Sequence, residues 1–125
     1  MRIESRGSSV EIIPTSQSNK FLVRFSGTGF SSEAVVDFEN WDLPRFLRML
    51  SNADHSKAMR QLDPLGGLTI RAFRDSESSF HLAFFLLSQE GWTATVSFDH
   101  LDDKKLAQLA DEAAKLFNNN DTGGA

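Results

Sequence analysis

The chain has 125 residues, enough for one sizeable hydrophobic core but too few to divide comfortably into two. The net charge is −4 and the 13 basic residues are scattered, which argues against nucleic-acid binding because phosphate contacts need clustered Lys and Arg. The absence of cysteine excludes disulfides, thiolate nucleophiles and cysteine-ligated zinc. We therefore expect a single domain over residues 1–117, followed by a flexible polar tail over residues 118–125.

No stretch of the sequence has the length and apolarity of a membrane span. Residues Met1–Val10 are polar and lack the apolar region of a secretory signal. The longest strongly apolar run is Leu82–Leu87, whereas a helix that crosses a bilayer needs about 20 residues. These features predict a cytoplasmic protein with no membrane partner.

Three short strands are predicted in the first third of the chain. Val10–Ile13 is a β-branched run that Pro14 ends, which is typical of a short edge strand. Lys20–Ser26 and Glu33–Phe38 alternate apolar and polar residues, so each predicts a strand with one buried face. Gly27-x-Gly29 between them predicts a turn or bulge, because it lacks the third glycine of a dinucleotide-binding motif.

A helix is predicted to begin at Asp42, which can cap free backbone N–H groups, and Pro44 suits its first turn. The helix is expected to end near residues 52–54, and residues 55–62 to add a helical turn or two. Its buried stripe follows the i, i+3, i+4, i+7 spacing, at Leu43, Phe46, Leu47 and Leu50.

Residues 67–99 predict a second meander of three strands joined by turn-rich links of hairpin length. Period-2 counting gives each strand one apolar inner face. The predicted inner residues are Leu68, Ile70, Ala72, Phe80, Leu82, Phe84, Leu86, Trp92, Ala94, Val96 and Phe98.

The last predicted element is an amphipathic helix from about Asp102 to Phe117, with Asp102 as its cap. The element order is therefore βββ-α-βββ-α. Both helices have a single apolar stripe and each strand has one apolar face. We expect an α+β fold of two layers, with both helices on one face of a mainly antiparallel six-stranded sheet.

The opposite face of this predicted sheet is the candidate binding surface. Large apolar residues are expected there among charged ones, a combination typical of an interface or a ligand groove. The competing interpretation is that loops, or the connector of residues 55–65, cover this face. The candidate binding residues are Arg24, Arg71, Phe73, His81, Phe85 and Leu87.

No catalytic constellation is visible in the sequence. His81 lies in the middle of a strand without an adjacent nucleophile, so a surface role is favoured over proton transfer. Asp99, His100 and Asp102 have a spacing that hints at a metal, but the junction of a strand and a helix favours capping instead. We therefore expect a non-enzymatic protein with no catalytic residue, metal site or cofactor.

Several stretches resemble small uncharacterised bacterial domains of similar length, some of which look like immunity or accessory proteins of toxin systems. Residues 54–65 depart from that pattern, since they lack the tryptophans it has there, and the pattern offers no catalytic residue. The matching pieces are Phe21-x-Val23, Gly27-x-Gly29-Phe30-Ser31, Leu43-x-x-Phe46-Leu47-x-x-Leu50, Gly67-Leu68-x-Ile70-x-Ala72, Trp92–Phe98 and Leu106-x-x-Leu109-Ala110.

Three functions are compatible with the sequence. The first is an interaction domain, immunity-like by the resemblance, that binds a protein partner through the outer sheet face or the acidic loops. The second is a homo-oligomer whose outer faces pack together. The third is a small-ligand domain with a pocket around Arg71, His81 and Phe85.

Overall fold

The computed structural model describes residues 1–39, 41–52, 59–76, 79–87 and 91–123. Within them, two antiparallel four-stranded meanders are each followed by a helix. The elements are β1 (Arg2–Ser5), β2 (Ser8–Pro14), β3 (Lys20–Gly27), β4 (Phe30–Asp37), α1 (Asp42–Asn52), β5 (Arg60–Leu62), β6 (Leu68–Ser76), β7 (Ser79–Leu87), β8 (Thr93–Leu101) and α2 (Asp103–Gly123).

The α+β class and the antiparallel pairing are confirmed, but the prediction of one six-stranded sheet is wrong. Strands β1-β2-β3-β4 form sheet A and strands β5-β6-β7-β8 form sheet B. The predicted edge strand around Val10 is instead an inner strand, because the polar-looking β1 pairs with it and sets the buried Ile3 opposite Val10. Period-2 counting missed β1 because only one of its four residues faces the core.

Strand β5 corrects a second prediction. Residues Arg60–Leu62 pair antiparallel with β6, with Leu62 opposite Ile70, instead of extending a helix. Residues 55–58 of the predicted helical extension lie outside the described part of the chain. A three-residue strand is too short to carry a hydrophobic period of its own, so its partner decides its conformation.

Strand β4 runs across one end of sheet B. At its C-terminal end, the Asp37 N–H donates to the Leu65 carbonyl at 2.8 Å, just before β6 begins. At its N-terminal end, Phe30 faces Trp92, just before β8 begins, across a cleft. The edge strand β4 of sheet A therefore lies against one end of sheet B, and the inner faces of both sheets border the same core.

The close approach at this junction requires a glycine. Gly66 has a φ of +119°, and a Cβ added to it would lie 2.6 Å from the Val35 carbonyl oxygen and 3.0 Å from the Val36 Cα. Both neighbours belong to the backbone of β4, so neither can move aside as a flexible side chain would. The absence of a side chain at Gly66 thus lets the two sheets touch.

The turns of sheet A lie beside β8. The β1–β2 turn at Gly7 and the β3–β4 turn at Thr28 are neighbours at one end of the sheet, since a Cβ on Gly7 would lie 3.7 Å from the Thr28 Oγ1. Residues on either side of these turns share cavity walls with β8. We call this end of sheet A the hairpin end.

One continuous core joins both sheets and both helices. Phe84 of sheet B meets Phe25 of sheet A and Phe98 edge-to-face, with ring centroids 6.5 and 6.0 Å apart. Phe117 of α2 lies 4.6 Å from the Phe21 ring. The predicted inner faces of β3, β6 and β7 are confirmed as buried.

Trp92 is the exception among the predicted inner residues, because 73% of it is exposed. It precedes Thr93, the first residue of β8 that pairs with β7. Alternation between faces holds only where a strand is paired, so the period-2 count fails one residue before the ladder starts.

The helices pack against each other as well as against the sheets. Arg48 of α1 donates to the Asp111 carboxylate of α2 at 2.7 Å across their exposed side. The predicted cap of α2 is confirmed, since the Lys105 N–H donates to the Asp102 side chain at 2.7 Å.

Helix α2 continues to Gly123, beyond its predicted end at Phe117. Neither described helix has the length and apolarity needed to cross a membrane.

Candidate binding surface on sheet B

Five of the six predicted binding residues lie together on the outer face of sheet B. The ladder of β6 and β7 places Phe73 directly opposite His81. Arg71 alternates with buried neighbours on β6, and Phe85 and Leu87 continue the outward-facing row of β7. We call this set the outer face of sheet B.

Arg24 does not belong to this face. It lies in the middle of sheet A, between Glu11 on β2 and Glu33 on β4, its register partners on either side. Its guanidinium forms ion pairs with both carboxylates, at 3.5 and 3.2 Å. The prediction grouped Arg24 with Arg71 and His81 because it assumed one sheet, and that grouping is wrong.

Two ring contacts fix the aromatic side chains of the outer face. The Phe73 and His81 rings are stacked, with centroids 4.8 Å apart and planes inclined by 26°. The Arg71 guanidinium lies over the Phe85 ring, 5.2 Å from its centroid. Cross-strand aromatic pairs and cation–π contacts of this kind hold side chains in defined positions.

A chain of polar contacts extends the surface towards β5. The Arg71 Nε donates to the Gln61 side-chain oxygen at 2.9 Å, and the Gln61 amide donates to the Asp63 carboxylate at 2.7 Å. Thr69 donates to the other carboxylate oxygen of Asp63 at 2.8 Å. The hydrogen bonds from Gln61 and Thr69 lower the pKa of Asp63 below its ordinary value, because they favour the ionised form.

Sequence reasoning missed Gln61 because it placed residues 55–62 in a helix, and it missed Asp63 because that residue was expected to lie beyond any regular element. The available signal was the two-residue spacing of Gln61 and Asp63, which matches a strand with one polar face. A single pair of polar residues is too short a pattern to outweigh the helical interpretation.

On the opposite side of the face, His81 hydrogen-bonds to Asp99 of β8. The register of β7 and β8 shifts between Phe80 and Leu82, which brings His81 beside Asp99. The His81 Nδ1–H donates to the Asp99 carboxylate, and this bond is the main reason why the pKa of Asp99 is lowered. Asp99 is therefore a partner of His81, a role that sequence reasoning did not assign to it.

The centre of the outer face is occupied by small side chains. Ala83 lies opposite Arg71 on β6 and Ser97 on β8. The small side chains of Ala83 and Ser97 leave a shallow depression among the larger side chains of the outer face. Phe73 is 37% exposed and Leu87 is 52% exposed. The described residues therefore leave apolar area on this face in contact with solvent.

The sequence pattern also contained a buried arginine that was overlooked. Arg74 is in phase with Ile70 and Ala72 on the inner side of β6, and only 4% of it is exposed. Its guanidinium lies 4.1 Å from the centroid of the Phe80 ring and 3.2 Å from the Asp103 carboxylate. These contacts tie the end of β6 to the first turn of α2, which is a structural role.

Among the described residues, the outer face does not place His81 beside a nucleophile. The groups around His81 are a phenyl ring and a carboxylate, and neither is a nucleophile for which His81 could serve as a base. Among the described residues, no three His, Asp or Glu side chains are grouped so that they could hold a metal ion.

Comparisons of the chain with protein-family models, curated proteins and solved structures found no match. The role of the outer face is therefore inferred from its own geometry and chemistry.

Proposed function

We propose that this chain is a non-enzymatic protein-interaction domain and that it binds a partner protein through the outer face of sheet B. The observation that carries the proposal is the stacked pair of the exposed Phe73 and the half-buried His81 beside the Arg71–Phe85 contact. Aromatic and Arg side chains are the types most enriched in the energetic centres of protein interfaces.

The contacts within the surface favour tight binding in a second way. A side chain that is ordered only on binding costs about 0.5–1.5 kcal/mol in lost rotamer freedom. Arg71 is already oriented by Gln61 and by the Phe85 ring, and Phe73 is already stacked on His81. These side chains are already ordered in the folded protein, so binding of a partner costs little further rotamer entropy.

Paired substitutions test this surface. The variant Phe73→Asp/Phe85→Asp introduces two negative charges into the outer face. The matched control Val35→Asp/Met49→Asp adds the same charge at positions that are 55% and 44% exposed elsewhere on the molecule. Both variants are first compared with the natural protein by thermal unfolding, so that a loss of binding is not a loss of folding.

The measurement is quantitative recovery of partners from the native host by the natural protein and the two variants. A partner whose recovery falls at least tenfold with the outer-face variant and is unchanged with the control supports the proposal. The purified partner should then protect the backbone amides of β6 and β7 from hydrogen exchange. Equal recovery by both variants would contradict the assignment of the surface.

The same variants separate a foreign partner from a second copy of this chain. Light scattering of the natural protein at high micromolar concentration reports its oligomeric state. If the natural protein is a dimer and the outer-face variant is a monomer, the outer face binds a second copy of the chain and not a foreign partner. A monomer in both cases leaves the heterologous partner as the occupant.

A narrower form of the proposal is an immunity role, in which the domain neutralises a toxin by binding it. Its support is the resemblance of the sequence to immunity and accessory proteins. Co-expression with the product of a neighbouring toxin-like reading frame tests this form. Protection by the natural protein and by the control variant, but not by the outer-face variant, is the expected result, and equal toxicity with all three would contradict it.

A further inference from the structure

The outer edge of β8 is a second candidate site, and the direction of its backbone groups follows from one hydrogen bond. The Leu87 N–H donates to the Gly67 carbonyl at 2.8 Å, so Leu87 points its backbone groups towards β6. Alternate residues of an antiparallel strand point these groups to opposite sides. Leu86 and Phe84 therefore point theirs towards β8, where Ala94 and Val96 are their register partners.

The residues between these partners consequently point away from the sheet. Thr93, Thr95 and Ser97 direct their N–H and C=O groups to the outer edge of β8, the last strand of sheet B. Within the described residues, no backbone hydrogen bond reaches them from that side. This edge can therefore accept one more strand.

Two cavities lie along this edge, between β8 and the hairpin end of sheet A. The first, of about 510 Å³, is lined by Phe30–Ser32 of β4 and by Trp92–Thr95. The second, of about 250 Å³, is lined by residues of the β1–β2 hairpin, including Arg6, and by Ser97, Asp99 and His100. Together the two cavities border most of the length of β8, and residues of the hairpin end line them opposite β8.

The composition of the edge is also unusual for a strand that must stay unpaired. Natural edge strands are commonly protected by Pro, by charged side chains, by bulges, by shortness or by a covering segment. Strand β8 has nine residues, TATVSFDHL, and its half from Thr93 to Ser97 contains neither Pro nor a charged side chain. A register shift near Phe80 affects only its C-terminal part and leaves Thr93–Ser97 regularly paired with β7.

We propose that the edge of β8 binds an extended peptide segment of a partner protein, which adds to sheet B as an antiparallel fifth strand. The backbone groups of Thr93, Thr95 and Ser97 would pair with the peptide backbone. Residues of the hairpin end line both cavities opposite β8, so they would obstruct the edge of a second sheet, and a single strand is the occupant that we propose. Like the function proposed above, this inference takes the partner to be a protein, but it uses other residues and is tested separately.

The walls of the two cavities specify the side chains of the peptide. Phe30 and Trp92 stand at the opening of the larger cavity, 41% and 73% exposed, and favour a large apolar group. Arg6 is exposed and lines the smaller cavity with His100 and Asp99, and its charge helps to lower the pKa of the Asp99 carboxyl. Because Asp99 is already hydrogen-bonded to His81, an acidic side chain of the peptide can complement Arg6 at that end. In the antiparallel direction, the acidic residue therefore lies nearer the N-terminus of the peptide than the apolar one.

A proline scan of the edge tests the inference. Thr95→Pro removes an N–H group that points away from β7, so the ladder within sheet B is kept while one bond to the peptide is lost. Thr95→Ala is the matched control, because it removes the same side chain and keeps the N–H. Thr93→Pro, at the first position of the strand, is a second variant in case Thr95→Pro does not fold.

The probe is a phage-displayed library of random nonapeptides, followed by calorimetry with a selected synthetic peptide. The selected peptides are expected to show side-chain preferences at every second position, with an acidic residue N-terminal to an apolar one. The selected peptide should bind at least tenfold more weakly to the proline variants than to Thr95→Ala, and it should protect the Thr93, Thr95 and Ser97 amides from hydrogen exchange.

Three results would overturn the inference: no enrichment from the library, a selection with helical spacing, or equal affinity for Thr95→Pro and Thr95→Ala. Protection of the β8 amides without peptide, in a concentration-dependent dimer, would also overturn it in favour of a second copy of the chain. The Phe73→Asp/Phe85→Asp variant should still bind the selected peptide. Failure at the outer face and failure at the β8 edge are thus distinguished.

Discussion

The imidazole of His81 stacks on the Phe73 ring while its Nδ1–H donates to the Asp99 carboxylate, so one side chain links β6, β7 and β8 across the outer face of sheet B. The two contacts have different physical origins. Stacking does not require an ionised partner, whereas the bond to Asp99 is strongest with an ionised carboxylate. Protonation of the Asp99 carboxyl should therefore weaken the hydrogen bond from His81.

Substitution of His81 by Phe is expected to raise the pKa of Asp99 towards its ordinary value of 3.8, because the hydrogen bond that lowers it is lost while a ring remains to stack on Phe73. The carboxyl resonance of Asp99 in an NMR pH titration measures this change. His100→Ala serves as the control and should change the titration less, since His100 contributes less than His81 to the lowered pKa. An unchanged titration in His81→Phe would show that the hydrogen bond does not hold Asp99.

The same substitution predicts a pH dependence of stability. A lowered folded pKa contributes stability that is present above the unfolded value of 3.8 and is lost as the pH falls through the folded value. The difference in the free energy of unfolding between the natural protein and His81→Phe should therefore shrink across that window. Urea denaturation at a series of pH values measures it, and a difference that grows as the pH falls would contradict the assignment.

Truncation of Phe84 to Ala is expected to destabilise the fold by about 3–5 kcal/mol, through lost burial and the cavity left behind. Phe84 is 1% exposed and its ring meets both Phe25 and Phe98. The control Phe30→Ala removes the same group from a position that is 41% exposed, so it loses less burial and should cost at least about 1 kcal/mol less than Phe84→Ala. Equilibrium denaturation compares the two, and a loss below about 1 kcal/mol for Phe84→Ala would contradict the role of Phe84 in joining the two sheets.

Two glycine substitutions test the junction between the sheets. Gly91 has a φ of +90°, and none of the described residues lies within 4 Å of an added Cβ, so Gly91→Ala is expected to carry only the strain of a left-handed backbone, about 1–3 kcal/mol. Gly66→Ala adds a clash with the Val35 carbonyl oxygen and should cost at least about 1 kcal/mol more. Thermal unfolding of the two variants gives the difference. Equal losses would mean that β4 does not approach Gly66 closely.

Most of the buried residues could be predicted from the sequence, with Ile3, Trp92 and Arg74 among the exceptions. The alternation of Phe21, Val23 and Phe25, and of Leu82, Phe84 and Leu86, assigned inner faces that the structure confirms. The start of α1 at Asp42 and the capping of α2 by Asp102 were also predictable. Each of these features is local, since it depends on residues within a few positions along the chain.

The candidate surface could be predicted only in part. Arg71, Phe73, His81, Phe85 and Leu87 share a face because they lie on two adjacent strands joined by a short hairpin, and such neighbours usually pair. Their partners Gln61 and Asp99 could not be found in the same way. Gln61 reaches Arg71 through a three-residue strand, and Asp99 reaches His81 through a shift of register.

The sequence by itself determined which residues form the core of this protein, because the pleat of a strand and the pitch of a helix impose their periods on the chain locally. Only the tertiary structure decided that the strands form two sheets, that Arg24 and Arg71 lie on different ones, and that β8 ends a sheet beside the hairpin end. These outcomes depend on contacts between segments far apart in the chain, such as Asp37 with Leu65. Backbone groups that make such contacts are the same in every residue, so the sequence pattern does not reveal which strands they join.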